Sequence, residues 1–130
     1  MANKKNRPTD PELNILKTLW QRSPQSAKEI HGHVEQNLQW SFSSTRKTLD
    51  RMVEKQFLAV APGERGQGYT PLVGKVNTLA AYIGDLMHRV LELNKMPPVH
   101  LFVDSELLDN KEMAELETLL GQLEQDKQSE

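Results

Sequence analysis

The chain has no cysteine. Disulfides, thiolate metal sites and cysteine nucleophiles are thereby excluded, and the absence fits a reducing, cytoplasmic setting. No apolar run approaches the roughly 20 residues that a membrane helix needs. The first residues, Met1 to Arg7, are polar and basic with no apolar segment behind them, so no secretory signal is expected. A glycine-rich phosphate loop and a nucleophile motif are also missing, so neither an enzyme nor a catalytic residue is expected. Histidine is scarce, with four in all. His31 and His33 stand two apart, whereas helical metal ligands usually stand four apart. His88 and His100 would have to meet at an interface between chains, so no metal and no cofactor is expected.

The 130 residues suffice for one compact domain with a smaller appendage. At 37% hydrophobic and 26% charged, they should fold. The net charge of −2 conceals a division. Residues 1–78 hold 12 Lys and Arg against 7 Asp and Glu, a net of +5, while residues 79–130 hold 4 against 11, a net of −7. The basic front suits a polyanion, and the acidic back suggests a separate task.

Residues 1–8 read as a flexible basic arm. Thr9 and Glu12 form a capping box, which opens a helix with Leu13, Leu16, Leu19 and Trp20 on one apolar face. That helix ends before Ser23-Pro24. Ser26 and Glu29 form a second box, opening a helix to about Asn37 with Ile30 and Val34 inward. Trp40 and Phe42 flank Ser41 in alternation, which predicts a very short strand. Ser43 then reads as the N-cap of a central helix reaching Lys55. Thr45, Leu49, Met52 and Val53 share its apolar face. Lys47, Asp50 and Glu54 lie opposite, with Arg46 and Arg51 on the flanks. Hydroxyls and cations gather near the N-terminal end, the end that a recognition helix turns toward base edges. By itself the stretch reads equally as an ordinary amphipathic helix with a solvated charged face.

Beyond Lys55 the period changes. Phe57 to Ala61 and Tyr69 to Val73 are strand-like, and Pro62 to Gly68, with three glycines, reads as a long flexible turn with Arg65 at its tip. Three helices and a hairpin make a winged helix-turn-helix over residues 9–74, mainly α with a small β wing. Gly74 to Asn77 reads as a linker, and a new helix is expected from Asn77 or Thr78 to about Asn94. Leu79, Ile83, Leu86, Val90 and Leu93 form a coiled-coil-like seam along it, widened by Met87 and Leu91. Pro97-Pro98 stops this helix, Val99 to Val103 is a loop or brief helical turn, and Asp109 to Glu112 caps a last helix with Met113, Leu116, Leu119, Leu120 and Leu123. The two C-terminal helices hold more leucine than a free pair leaves in water. They either fold back on residues 1–73 or pair with their copies in a second chain. The length of the seam favours a homodimer, whose two-fold axis would match a palindromic site. Residues 75–130 are then a helical dimerisation domain with Leu79, Ile83, Leu86, Val90, Leu116 and Leu120 at the contact.

The order Trp20, Ile30-His31, Trp40-Ser41, Leu49-Asp50-Arg51-Met52-Val53-Glu54-Lys55, then Tyr69-Thr70-Pro71-Leu72-Val73, resembles the penicillinase repressor family. The likeness spans nearly the whole chain, including the leucine-rich end around Phe102-Val103, Glu112, Leu116 and Leu119-Leu120. It implies a dimeric winged-helix repressor that covers promoters of resistance or metal-homeostasis genes at inverted repeats. Several departures qualify it. Ser44 stands where a threonine is usual, Thr45 and Thr48 where apolar residues are usual, Lys47 where a threonine is usual, and Gln56 where a glycine is usual. The resistance repressors are released by cleavage of an Asn-Phe bond, and here the matching pair is Leu101-Phe102, which argues against the same sensor protease. The copper-responsive branch uses Cys-x-Cys pairs, which this chain lacks.

On that resemblance Ser43, Ser44, Arg46 and Lys47 are expected at the groove floor or edge, with Lys47 the leading base contact. Arg51, Lys28 and the wing residue Arg65 are expected at phosphates. Trp20 and Trp40 belong to the core. The competing reading is a winged-helix module that binds a partner protein without sequence-specific DNA binding.

Overall fold

The structure, a computed structural model, describes residues 7–63 and 66–128. It divides into two compact units, Met1–Lys75 and Val76–Glu130. No helix among the described residues is long and apolar enough to cross a membrane.

In the first unit, α1 (Asp10–Gln21) begins at a reciprocal cap: the Thr9 N–H donates to Glu12 Oε1 at 2.9 Å, and the Glu12 N–H donates to Thr9 Oγ1 at 3.4 Å. Glu12 is only 3% exposed, and its second oxygen takes Lys55 Nζ at 2.8 Å, tying the start of α1 to the residue that closes the third helix. A buried carboxylate is tolerated because both of its oxygens are engaged. The second helix, α2 (Ala27–Leu38), opens with the same device, the Ser26 N–H donating to Glu29 Oε1 at 3.0 Å. That hydrogen bond and the Arg22 guanidinium hold the Glu29 carboxyl below its ordinary range.

The third helix, α3 (Phe42–Glu54), starts earlier than expected. Its N-cap is Ser41, whose Oγ accepts from the Ser44 N–H at 3.2 Å. Ser43, expected as the cap, lies within the first turn. The short strand expected at Trp40 to Phe42 does not form. Two aromatics around one serine are too few to pair as a strand, and Ser41 has an extended backbone because it is a cap. After α3 the chain turns at Gln56 with φ of 67°, a left-handed conformation that glycine adopts without strain.

The hairpin is tighter than expected. β1 (Leu58–Gly63) pairs antiparallel with β2 (Gly66–Pro71), in register from Leu58 opposite Pro71 to Gly63 opposite Gly66. Pairing therefore runs through most of the supposed turn, leaving Glu64 and Arg65 at the tip, outside the described residues. Gly66, at φ of 99°, meets the backbone demand of so tight a reversal. The wing is anchored by backbone: Tyr69 N–H donates to Gln25 O at 2.8 Å and Gln25 N–H to Tyr69 O at 3.2 Å. Trp20 Nε1 donates to Val73 O at 3.0 Å, so Trp20 is a structural post of α1. The core between these elements is Ile15, Leu16, Leu19, Ile30, Val34, Leu49, Met52, Phe57, Leu58 and Tyr69.

In the second unit, α4 (Lys75–Asp85) begins two or three residues before the expected start, inside the supposed linker. It gives way to a π-helical turn at Leu86–Val90, and Glu92, with φ of 56°, lies beyond it, so the helix stops short of Asn94. Arg89 grips Asp85 through two 2.8 Å hydrogen bonds across that turn. A 3₁₀ turn at Val99–Phe102 precedes α5 (Asn110–Gln128), which is capped reciprocally by Asp109 and Glu112. The two C-terminal helices pack on each other, an arrangement that neither expected alternative contained. Their core is Val76, Ala80, Leu116 and Leu120, with Ile83, Phe102, Leu108 and Leu123 against it. Gly84 marks the closest approach, since a Cβ there would lie 3.1 Å from Leu123 Cδ1.

This packing corrects the expected dimer contact. Leu116 is 0% and Leu120 2% exposed within a single chain, so neither has surface left for a second copy. Leu79 and Ile83 are half-buried, and Ile83 is used in the unit's own core. Leu86 and Val90, at 47% and 51% exposed, are the predicted contacts that remain open, together with Leu91, Leu93, Leu101 and Val103.

Candidate nucleic-acid interface

The arrangement of α2, a tight turn and α3 sets the geometry of the site. Gln39, at the C-cap of α2, has φ of 51° and turns the chain sharply enough that Ser41 already caps α3. One face of α3 is then locked inward: Thr45, Thr48, Leu49 and Met52 are all buried. Thr48, not expected on this face, satisfies its hydroxyl by donating to Ser44 O at 2.9 Å. With that face fixed, the 3.6-residue period forces Ser43, Arg46, Lys47, Asp50, Arg51 and Glu54 outward, and all six are exposed.

The first turn of α3 is a hydroxyl cluster. Ser41 Oγ lies 3.1 Å from Ser43 Oγ and 3.2 Å from Ser44 Oγ. Ser44 is half-buried, Ser43 exposed. Free helix N–H groups and hydroxyls at one place favour an anion. One turn on, the Arg46 guanidinium sits 5.9 Å from the centre of the Phe42 ring, which steadies a long side chain at the surface.

Ion pairing separates structural cations from available ones. Arg22 is taken by Glu29 at 3.1 Å, Lys55 by Glu12 at 2.8 Å and Arg89 by Asp85 at 2.8 Å. Among the described residues, Lys28, Arg46, Lys47 and Arg51 pair with no carboxylate. Lys28 is exposed in the first turn of α2. Hence five of the seven residues expected to meet DNA, Ser43, Ser44, Arg46, Lys47 and Arg51, share the outer side of one helix, and Lys28 stands on its neighbour. Arg65 lies outside the described residues.

Two further residues shape this site without a local signal in the sequence. Ser41, the true cap, is separated from Ser44 by the spacing of a weak cap pattern, obscured by the aromatic alternation around it. His31 reaches α3 from α2, with Nδ1 2.8 Å from Thr45 Oγ1, and 14 residues of intervening chain hide that contact from any periodicity.

The family model described as penicillinase repressor matches residues 8–122. An uncharacterized 16.5 kDa protein in the ptsI 3' region of Latilactobacillus sakei is 20% identical over 120 residues, which cover 92% of this chain and 82% of that protein.

Proposed function

The chain belongs to the penicillinase repressor family, whose members are DNA-binding transcriptional regulators, and on that premise we propose that it is a homodimeric repressor. Each copy lays α3 in the major groove at one half of an inverted repeat, and the bound dimer occludes the promoter. The observation that carries this reading is the set of cations on α3: Arg46, Lys47 and Arg51 are exposed without carboxylate partners on a helix whose opposite face is buried. Lys47 is the base contact, since it projects from the middle of the helix. Arg46, held over Phe42, stands at the groove edge with Ser43 and Ser44. Arg51, one turn beyond Lys47, reaches a phosphate, as do Lys28 and Arg65.

Pairing of two copies uses the apolar side chains that one chain leaves uncovered. Leu86, Val90, Leu91, Leu93, Leu101 and Val103 range from 47% to 67% exposed, a concentration unusual for a monomer surface. Leu116 and Leu120 act from behind, holding the helices that present it. Leu101-Phe102 replaces the Asn-Phe bond at which resistance repressors are cleaved, so release follows another route.

Substitution at Lys47 tests the assignment. Lys47→Ala is expected to weaken binding to a duplex selected by the wild-type protein by about 10- to 100-fold, the equivalent of one good base contact, and to leave binding to a scrambled duplex within about threefold. Fluorescence anisotropy on both duplexes at one salt concentration makes the comparison. Equal losses on the two would show that Lys47 neutralises phosphate and does not read sequence.

A further inference from the structure

The first turn of α3 is held from α2 by one polar side chain. His31 contacts α3 twice: its Nδ1 lies 2.8 Å from Thr45 Oγ1, and its ring stands edge-on to Phe42 with centroids 5.5 Å apart and planes at 70°. Its other nitrogen, Nε2, lies 3.2 Å from a carboxylate oxygen of Glu35, one turn along α2. A carboxylate only accepts, so Nε2 carries the proton toward Glu35 and Nδ1 accepts from the Thr45 hydroxyl. Thr45 is 0% exposed, so water cannot replace that partner. The ring is fixed at both nitrogens and on one edge, and it cannot rotate without breaking one of the three contacts.

We propose that His31 is the positioning residue of the recognition helix, setting the rotation of α3 about its axis and so where Arg46 and Lys47 meet the bases. This rests on the DNA-reading role of α3. A purely apolar contact between the helices would slide or roll at little cost, because dispersion is non-directional. A hydrogen bond to a buried hydroxyl is directional and weakens steeply with misalignment. Phe42 adds a second point of control: it lies between His31 and Arg46, so the same ring that receives His31 carries the Arg46 guanidinium at 5.9 Å. Glu35, with its side chain 56% exposed, keeps the imidazole in the tautomer that accepts from Thr45.

The test uses the full chain and two duplexes, one enriched by the wild-type protein from a random library and one a scramble of it. The readout is the ratio of the two affinities. His31→Leu is expected to lower that ratio about tenfold, the scale of one base contact, with affinity for the scramble unchanged. Thr45→Val, which keeps the shape and removes the hydroxyl, should lose as much, and the double variant should lose no more than the larger single loss. His31→Asn, whose amide oxygen can accept at the place of Nδ1, should recover most of the ratio. Thermal unfolding of each variant identifies any that fail to fold, and Thr45→Val then carries the comparison. Retention of the ratio by His31→Leu and Thr45→Val overturns the proposal, as does an equal loss on both duplexes. Wild-type protein that enriches no sequence overturns the DNA-reading role itself, and this proposal with it.

Discussion

Replacing both Leu86 and Val90 by glutamate is expected to convert the protein to a monomer at micromolar concentration and to weaken binding to its inverted repeat by about 100-fold or more. In a single chain these side chains are 47% and 51% exposed, so charges there are solvated and the fold of each unit is kept. In the proposed dimer they meet apolar surface, where each unpaired carboxylate costs several kcal/mol. Two copies would bury four such groups, far more than a modest interface tolerates. Once the copies separate, each half-site must be bound independently, and the effective concentration supplied by the first contact is lost. Sedimentation velocity reads the assembly and anisotropy reads the affinity. A variant that stays dimeric would place the contact elsewhere on the second unit.

The second large effect concerns the base of the recognition helix. Leu49→Ala should destabilise the first unit by about 3 kcal/mol, within the range for buried leucine truncations. Leu49 is 0% exposed and lies on the inward face of α3 with Met52 and Thr45, beside a core drawn from α1, α2 and the strands. The cavity would lie under the helix that carries Lys47, so local loosening and loss of sequence discrimination should appear together. Because the chain divides into two compact units, urea unfolding followed by far-ultraviolet circular dichroism should show the midpoint of the first unit falling while the second holds. A shift of less than about 1 kcal/mol would mean that the surrounding side chains collapse onto the cavity.

Patterns confined to a few residues were readable in the sequence. The boxes at Thr9 and Glu12 and at Ser26 and Glu29 each fit within one turn, and the structure closes both as reciprocal hydrogen bonds. The outward cations of α3 follow from the same periodicity that buries Leu49 and Met52. Features that depend on distant partners were not readable. Gly63 and Gly66 look like loop residues, yet they pair because strand register extends the ladder past them. Leucine spacing shows that Leu116 and Leu120 are buried but does not say against what, and the answer is α4 of their own chain. The seam through Leu86 and Val90 continues the heptad pattern while the backbone opens into a π turn, which spacing cannot reveal. At Gln56 the residue type itself misleads, because a left-handed turn that glycine would signal is made by glutamine. The polar contact between His31 and Thr45 joins two positions that, read singly, look like a surface histidine and one member of an apolar stripe.

The most direct measurement is selection of duplexes from a random library by the purified full-length chain, followed by sequencing of what it retains. Two copies of α3 on a shared two-fold axis predict enrichment of an inverted repeat, with half-site centres about 10 base pairs apart or a multiple of that spacing. Failure to enrich any sequence, or enrichment of a single half-site with no inverted copy, would contradict the account.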